Sequence, residues 1–505
     1  MGLASAVLVG ALLAGAAQAA TPVKEVRAWR EANEKAVVAD FIKMLAMPNV
    51  ATNVADIEKN ADYLTGLLKA RGFTAEKLYA EPDTPPSVFG ELKTKGARRT
   101  VVFYAHYDGQ PIAQKGWLND PFQPTMRTAL PEAKAVDWQA GAGPLDPEWR
   151  LFGRSAGDDK VSVQALLSAM DALKAAGRKP SVNIKVLWEG EEEQGSPHFA
   201  ALVNRHRETL KTDLIIMGDG PVHQSGRQQL NFGNRGIVGF KTTVYGPIRP
   251  LHDGHYGSWA PSPTVMIANL VMSLRDEDGR ILVPGIYDDV QPVSPAEKAA
   301  LAALPDVETG LKRNLAIGRN VGGPRLVDGY MTTTLNVRAI HGGDTGPDAA
   351  NAIATEADAS FDIRLAAGQT PERVKKAVEA HLAAQGWTLV RETPDAATRG
   401  AHPRVLKIEW DQGGSRATRS AVDSPPAMAV AAAIERTVGY PPIKIPTVGA
   451  SSGMVEVVDA LQAPMVGVSI ANFDNNQHAV NENLKLDALW RGIEIYAALL
   501  SDMSW

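Results

Sequence analysis

The feature that most restricts how this 505-residue chain can fold is an alternation of strands and helices that breaks off once and later resumes. The apolar segments "TVVFYAHYD", "VNIKVLWEG" and "DLIIMGD" read as strands, with helical periodicity over Val161 to Ala176 and Phe199 to Leu210 between them. Two more helices, Val23 to Met47 and Val54 to Gly72, come first. Such an order specifies a mostly parallel sheet with helices on both faces. Near Gly236 the texture changes. "IVGFKTTVYG", a helix over Thr264 to Leu274, "MTTTLNVRAIHG", "ATEADASFDIRLA", a helix over Pro371 to Gln385, "TLVRETP" and "RVLKIEW" give the β-α-β-β-α-β order of a ferredoxin-like α+β unit. From about Ser424 the first pattern returns and closes on an amphipathic helix, Leu484 to Met503. The expected fold class is therefore α/β, one domain (21–236 and 419–505) interrupted by a smaller inserted one (237–418). A chain this long is expected to divide into two cores.

Composition narrows the chemistry. There is no cysteine, so disulfides and thiolate ligands are excluded, and any metal must be held by His, Asp and Glu. A net charge of -5 without a Lys/Arg block argues against a nucleic-acid partner. The first twenty residues, "MGLASAVLVGALLAGAAQAA", form an apolar run ending in Ala17-Gln18-Ala19, although a basic leading segment is missing. The run is short for a membrane span, so it reads as a signal peptide cleaved near Ala19 or Ala20. The expectation is an exported, periplasmic protein with no stable membrane partner.

The strands end in ionisable residues. His106 and Asp108 fall two apart in "FYAHYDG", on one face of a strand, the spacing that lets a carboxylate fix the tautomer of a ligating imidazole. Asp158 and Asp159 follow a glycine-rich turn and precede a helix, where ordinary N-capping is the plainer alternative. Asp219 ends "DLIIMGD", and His478 lies in the polar loop "NFDNNQHAVNENL". "WEGEEEQGS" crowds Glu189, Glu191, Glu192 and Glu193 into five positions, which is either a solvated acidic loop or a set of carboxylates held by something cationic. Carboxylates and imidazoles thus recur at the C-terminal strand ends of one α/β sheet, the edge where such sheets bind ligands.

Taken together, "FYAHYDGQP", "GRSAGDDK", "EGEEEQGS", "IIMGDGP", "NFGNRG", "PLHDGHYGS" and "HAVNENL" resemble, in order and spacing, the carnosinase–aminoacylase–glutamate carboxypeptidase family of di-zinc peptidases and amidohydrolases. The resemblance implies a zinc-peptidase sheet with an inserted lid and dimerisation domain. It implies two Zn²⁺ ions, for which Co²⁺ or Mn²⁺ could substitute. Their ligands would be His106, Asp158, Glu193, Asp219 and His478, with Asp158 between the ions. Glu192 would be the general base that takes a proton from the attacking water, and Asp108 would support His106. His252 would be an oxyanion donor supplied by the lid, in its own subunit or across a homodimer, with His255 as its rival. Asn351 and Arg364 would grip the substrate's free carboxylate, the alternative for Arg364 being an ordinary pair with a neighbouring acid. A cis Asp158–Asp159 bond is also implied. Glu189 and Glu191 receive no role and are expected to be solvated or locally paired. Ser155 and Val161 stand where the family usually has glycine. The substrate is expected to be a dipeptide or short peptide with a free C-terminal carboxylate; the alternative is an N-acyl or N-carbamoyl amino acid.

Overall fold

The computed structural model describes residues 23–505 other than 142 and 324; the expected signal peptide, 1–20, lies outside the described residues. From the N-terminal side, β1 (Thr74–Leu78), β2 (Ser87–Leu92) and β3 (Thr100–His106) enter a large sheet. β4 (Thr125–Arg127) and β5 (Arg150–Phe152) leave it for a small three-stranded one, and β6 (Asn183–Glu189), β7 (Leu214–Met217) and β8 (Gln229–Asn231) return to it. A second sheet takes β9 (Gly236–Tyr245), β11 (Thr334–His341), β13 (Glu356–Leu365), β14 (Thr388–Val390) and β15 (Val405–Trp410). Between its strands, β10 (Leu251–His252) and β12 (Ala352–Ile353) pair as a two-residue ribbon. β16 (Ile443–Ile445) and β17 (Met465–Gly467) complete the large sheet, and β18 (Asn483–Lys485) the small one.

The large sheet runs β1-β2-β6-β3-β7-β17-β8-β16. Its centre, β6-β3-β7-β17, is parallel, but β1–β2, β2–β6 and β17–β8 are antiparallel, so the sheet is more mixed than expected. The reason is local for β1 and β2. Residues 79–86 are too few for the crossover of a dozen or more residues that parallel neighbours require. Alternation then sorts the side chains of β3. Val101, Phe103 and Ala105 pack into the core under helices Val23–Leu45, Lys160–Ala175 and Leu486–Ser501, while Val102 and Tyr104 pack under Phe199–Arg205 and Met454–Leu461.

The C-terminal helix Leu486–Ser501 is amphipathic as expected, but its polar face is narrow, with Asp487 and Arg491 paired at 3.1 Å. It is sandwiched between three other helices and is buried on nearly every side. The one carboxylate it buries, Glu494, is held by Arg27 at 2.9 and 2.7 Å. Among the described residues, no helix is long and apolar enough to cross a membrane.

The second sheet runs β11-β13-β9-β15-β14, with β9, β11, β13 and β15 antiparallel. That is the ferredoxin-like order, with β14 added alongside β15 in parallel. It has its own core, in which Phe240 stacks on Phe361 at 4.6 Å. An excursion over 275–333 leaves this unit and returns. Its helix Pro295–Ala302 packs on β16 of the large sheet, and Glu297 pairs with Arg419 at 3.1 Å.

Candidate metal centre and active site

β6, β3 and β7 lie side by side and parallel, so their C-terminal ends open onto one edge. That edge receives His106 from β3, the acidic run after β6 and Asp219 after β7. The loop after β5 adds Asp158, and the loop after β17 adds His478. His106 Nε2 lies 2.9 Å from Asp158 Oδ1, and its Nδ1 lies 3.4 Å from Asp108 Oδ1, close enough for attraction but long for a hydrogen bond. The Asp108 carboxylate also accepts the backbone N–H groups of Glu192 (3.1 Å) and Glu193 (3.0 Å). Asp108 thereby fixes the start of the acidic turn against the imidazole. Gly109 has to be glycine for this packing, since a Cβ there would meet Ser155 Oγ at 2.4 Å.

His478 Nε2 stands 3.2 Å from both Asp158 Oδ2 and Glu193 Oε2. Donors about 2.0 Å from a tetrahedral ion are about 3.3 Å apart, so His478 is spaced from each of these carboxylates as two ligands of one ion are. His106, Asp158 and Glu193 each offer a ligand atom within 4.8 Å of the others. Asp219 lies outside that set, yet it is coupled to it by charge. Burial, and then the Asp158 carboxylate, hold its carboxyl well above the usual range. Burial and the charges of Glu193 and Asp108, against the pull of His106, push Glu192 up to about 7. Burial alone would lower His106, but Asp108 and Asp158 outweigh it and raise it well above its ordinary value. Asp158 and Glu193 push His478 up to about 10. Nitrogen and oxygen donors converge here in an excess of negative charge, which is the environment that suits hard or borderline divalent cations. The residues present fit a metal centre.

Asp158 and Asp159 do not act as ordinary caps. Helix Lys160–Ala175 starts after Asp159 with no side-chain cap bond, and Ser162 Oγ donates to Asp159 Oδ1 at 2.5 Å. The Asp158–Asp159 bond is cis, as the resemblance implies. Ser155, at the family's glycine position, keeps the left-handed backbone (φ 63°) that glycine favours. Its hydroxyl donates to Asp108 O at 3.3 Å and accepts from Asn49 Nδ2 at 2.9 Å.

Glu482 stands within the motif "HAVNENL", but the sequence assigns it no role. Its carboxylate is fully buried. Oε1 accepts from the N–H groups of Gly157 (2.9 Å) and Asp158 (3.0 Å), while Oε2 accepts from the N–H of Ser155 (3.0 Å) and from Arg154 Nη1 (2.8 Å). One side chain thus holds the whole turn that presents Asp158. The available hint was a charged residue four positions after His478, two before the apolar Leu484.

Of the two alternatives for Glu189 and Glu191, solvated or locally paired, the structure has the second: both are buried and paired, Glu189 to Tyr104 Oη at 2.7 Å and Glu191 to His198 Nδ1 at 2.8 Å. Asn351 and Arg364 do not form one clamp within a chain. Arg364 ends β13, where it donates to Asp362 Oδ2 at 2.8 Å and to Ser451 Oγ at 2.9 Å, so the ordinary pairing is realised alongside a contact to the large domain. Asn351 precedes the far end of β13, which is about 27 Å away at about 3.4 Å per residue. It sits beside the β10–β12 ribbon, with its carbonyl accepting from Asp253 N–H at 3.1 Å. His252 is on that same ribbon. It is exposed, pairs with His255 at 4.6 Å between ring centroids, and does not join the ligand cluster of its own chain.

Comparison with known proteins gives the same picture. The model of "Peptidase family M20/M25/M40" matches residues 102–502. The Cys-Gly metallodipeptidase dug1 of Schizosaccharomyces pombe is 25% identical over 481 residues, covering 92% of this chain and 94% of that protein. The Beta-Ala-His dipeptidase of Rattus norvegicus is 26% identical, covering 83% and 80%. The crystal structure of an M20 family metallo-carboxypeptidase, Sso-CP2 from Sulfolobus solfataricus, superposes with a TM-score of 0.72 at 24% identity, covering 92% of this chain and 98% of that one.

Proposed function

The chain belongs to peptidase family M20/M25/M40, a family of metal-dependent peptidases, and on that premise we propose that it hydrolyses the amide bond of dipeptides or short peptides bearing a free C-terminal carboxylate. The observation that carries the reading is the convergence of His106, Asp158, Glu193 and His478 around one point, with Glu192 beside them. Support for the substrate class comes from relatives described as Cys-Gly and Beta-Ala-His dipeptidases.

Two Zn²⁺ ions are the proposed occupants, with Co²⁺ or Mn²⁺ as substitutes. His106 and Asp219 would hold one, Glu193 and His478 the other, and Asp158 both. When bound, such ions polarise an amide carbonyl and acidify water. Glu192 accepts the proton of the attacking water and returns it to the departing amine, work suited to a carboxyl whose surroundings push it towards neutrality. Asp108 orients His106 and anchors the turn from which Glu192 and Glu193 project. Arg364 and Ser451 receive the substrate carboxylate.

The unit 237–418 would act as a lid and as the contact of a homodimer. Val265 and Met272 lie seven residues apart on helix Pro263–Leu274, hence on one face, and are 58% and 54% exposed. β11 is an edge strand carrying exposed Ile340. His252 and Asn351, displaced together from Arg364 of their own chain, would enter the site of the second copy. The apolar N-terminal run with its Ala-Gln-Ala end supports export to the periplasm, with cleavage near Ala19 or Ala20.

A panel of dipeptides, N-acyl amino acids and N-carbamoyl amino acids, run with Zn²⁺, Co²⁺ and Mn²⁺, tests the substrate class. Cleavage of dipeptides well above the others is expected. Cleavage of acylated or carbamoylated amino acids alone would make the protein an amidohydrolase of those substrates instead.

A further inference from the structure

We propose that the second unit carries a separate binding site for a carboxylate on an apolar body, in a cavity where Arg235 takes the carboxylate. The cavity, of about 790 Å³, lies between the start of β11 and the excursion 275–333. Arg235, Tyr330 and Thr334 line its polar end, and Ile317, Val321 and Leu326 its apolar wall. The wall faces solvent, at 46%, 56% and 47% exposure, whereas Arg235 is 6% exposed.

Arg235 comes from "NFGNRG", a motif to which the proposed hydrolysis assigns nothing. No carboxylate pairs with it among the described residues. Its Nη2 donates to Thr334 Oγ1 and, at 3.4 Å, to the carbonyls of Thr332 and Arg364, while its Nε has no partner. Thr334 is the register partner of Arg364, so the two side chains share a sheet face. The neighbouring acid, Asp362, is already engaged by Arg364 Nε at 2.8 Å. Asp362 is thus taken by Arg364, and Arg235 keeps its positive charge in a desolvated place. Burial, and then the charge of Arg364, pull Arg235 down to about 10.

Arg235 is the buried cation of this cavity: Arg319 is met by Asp278 at 2.9 Å and Arg325 by Asp328 at 2.6 Å, while Arg275, Arg280 and Lys312, which also line it, are half-buried or exposed. A buried charge without a partner is costly. A guanidinium edge matches a carboxylate in shape and charge, and its single charge asks for a monoanion. The apolar wall asks for an alkyl body attached to it.

The test is calorimetric titration of the full-length protein with 4-methylpentanoate, which has no bond for a peptidase to cut. One molecule should bind per chain, 4-methylpentanamide should not bind, and inorganic phosphate should bind more weakly. Arg235→Gln and the solvent-facing Val321→Asp should each weaken binding about tenfold or more, the scale of a lost charge-assisted bond. Glu192→Gln should bind as the parent does. If Arg235→Gln fails to fold, Val321→Asp alone carries the test. No binding at millimolar 4-methylpentanoate would overturn the proposal, as would unchanged binding in both cavity variants. So would tighter phosphate than carboxylate binding. Each of these outcomes leaves dipeptide hydrolysis, measured separately, untouched.

Discussion

Glu192 and Glu193 are neighbours in the chain, and the proposed function gives the first the proton and the second the metal. Their surroundings differ. Glu193 Oε2 faces His478, whereas Glu192 is the carboxyl pushed up to about 7. Glu192→Gln should therefore lower turnover by about 10²- to 10⁴-fold while leaving metal content unchanged, as measured by steady-state rates and elemental analysis. Glu191→Gln should leave turnover close to normal, since Glu191 is spent on His198. The reverse outcome would shift the assignment by one residue. Most ligand-type residues were legible in the sequence because they end an apolar strand or follow a glycine-flanked turn, whereas His478, in a polar loop, was placed by the motif "HAVNENL". The role of Glu482 was not legible, because it acts on backbone N–H groups that no residue pattern displays.

At the scale of elements, the turn 154–158 is as much a part of the centre as the strands are. Glu482 and Arg154 are 0% and 1% exposed at the side chain, and breaking such a pair costs about 3–5 kcal/mol. Glu482→Gln should weaken metal affinity about 10- to 100-fold, the usual scale for a residue that orients a ligand. Competition with a chromophoric chelator would read this, and unchanged affinity in the folded variant would reduce Glu482 to a packing role. β13 teaches the complementary lesson. Asn351 and Arg364 are close in sequence and look like one clamp, but an extended strand between them carries them apart. Helix Leu486–Ser501 was legible as amphipathic, but how narrow its polar face is depends on the helices that cover it.

For the whole molecule, the alternation with its single interruption was enough to read two units and the ferredoxin-like order of the second. The antiparallel flank and the excursion 275–333 were beyond it, because they depend on which short segments find partners. The separation of His252 from its own chain's cluster makes subunit exchange informative. If the proposed homodimer shares His252 across its subunits, mixing His252→Ala with Glu192→Gln protein should recover activity, because a hybrid dimer would contain one site with both residues intact. No recovery, despite demonstrated exchange, would place His252 in the site of its own subunit.

The account rests on a dinuclear centre built by His106, Asp158, Glu193, Asp219 and His478, and metal reconstitution tests it most directly. Protein stripped with a chelator and titrated with Zn²⁺ should show no dipeptide hydrolysis at the outset. Activity should rise to its plateau only as about two equivalents per chain are bound, the stoichiometry of a two-metal site. Full activity in stripped protein, or a plateau at one equivalent, would contradict it.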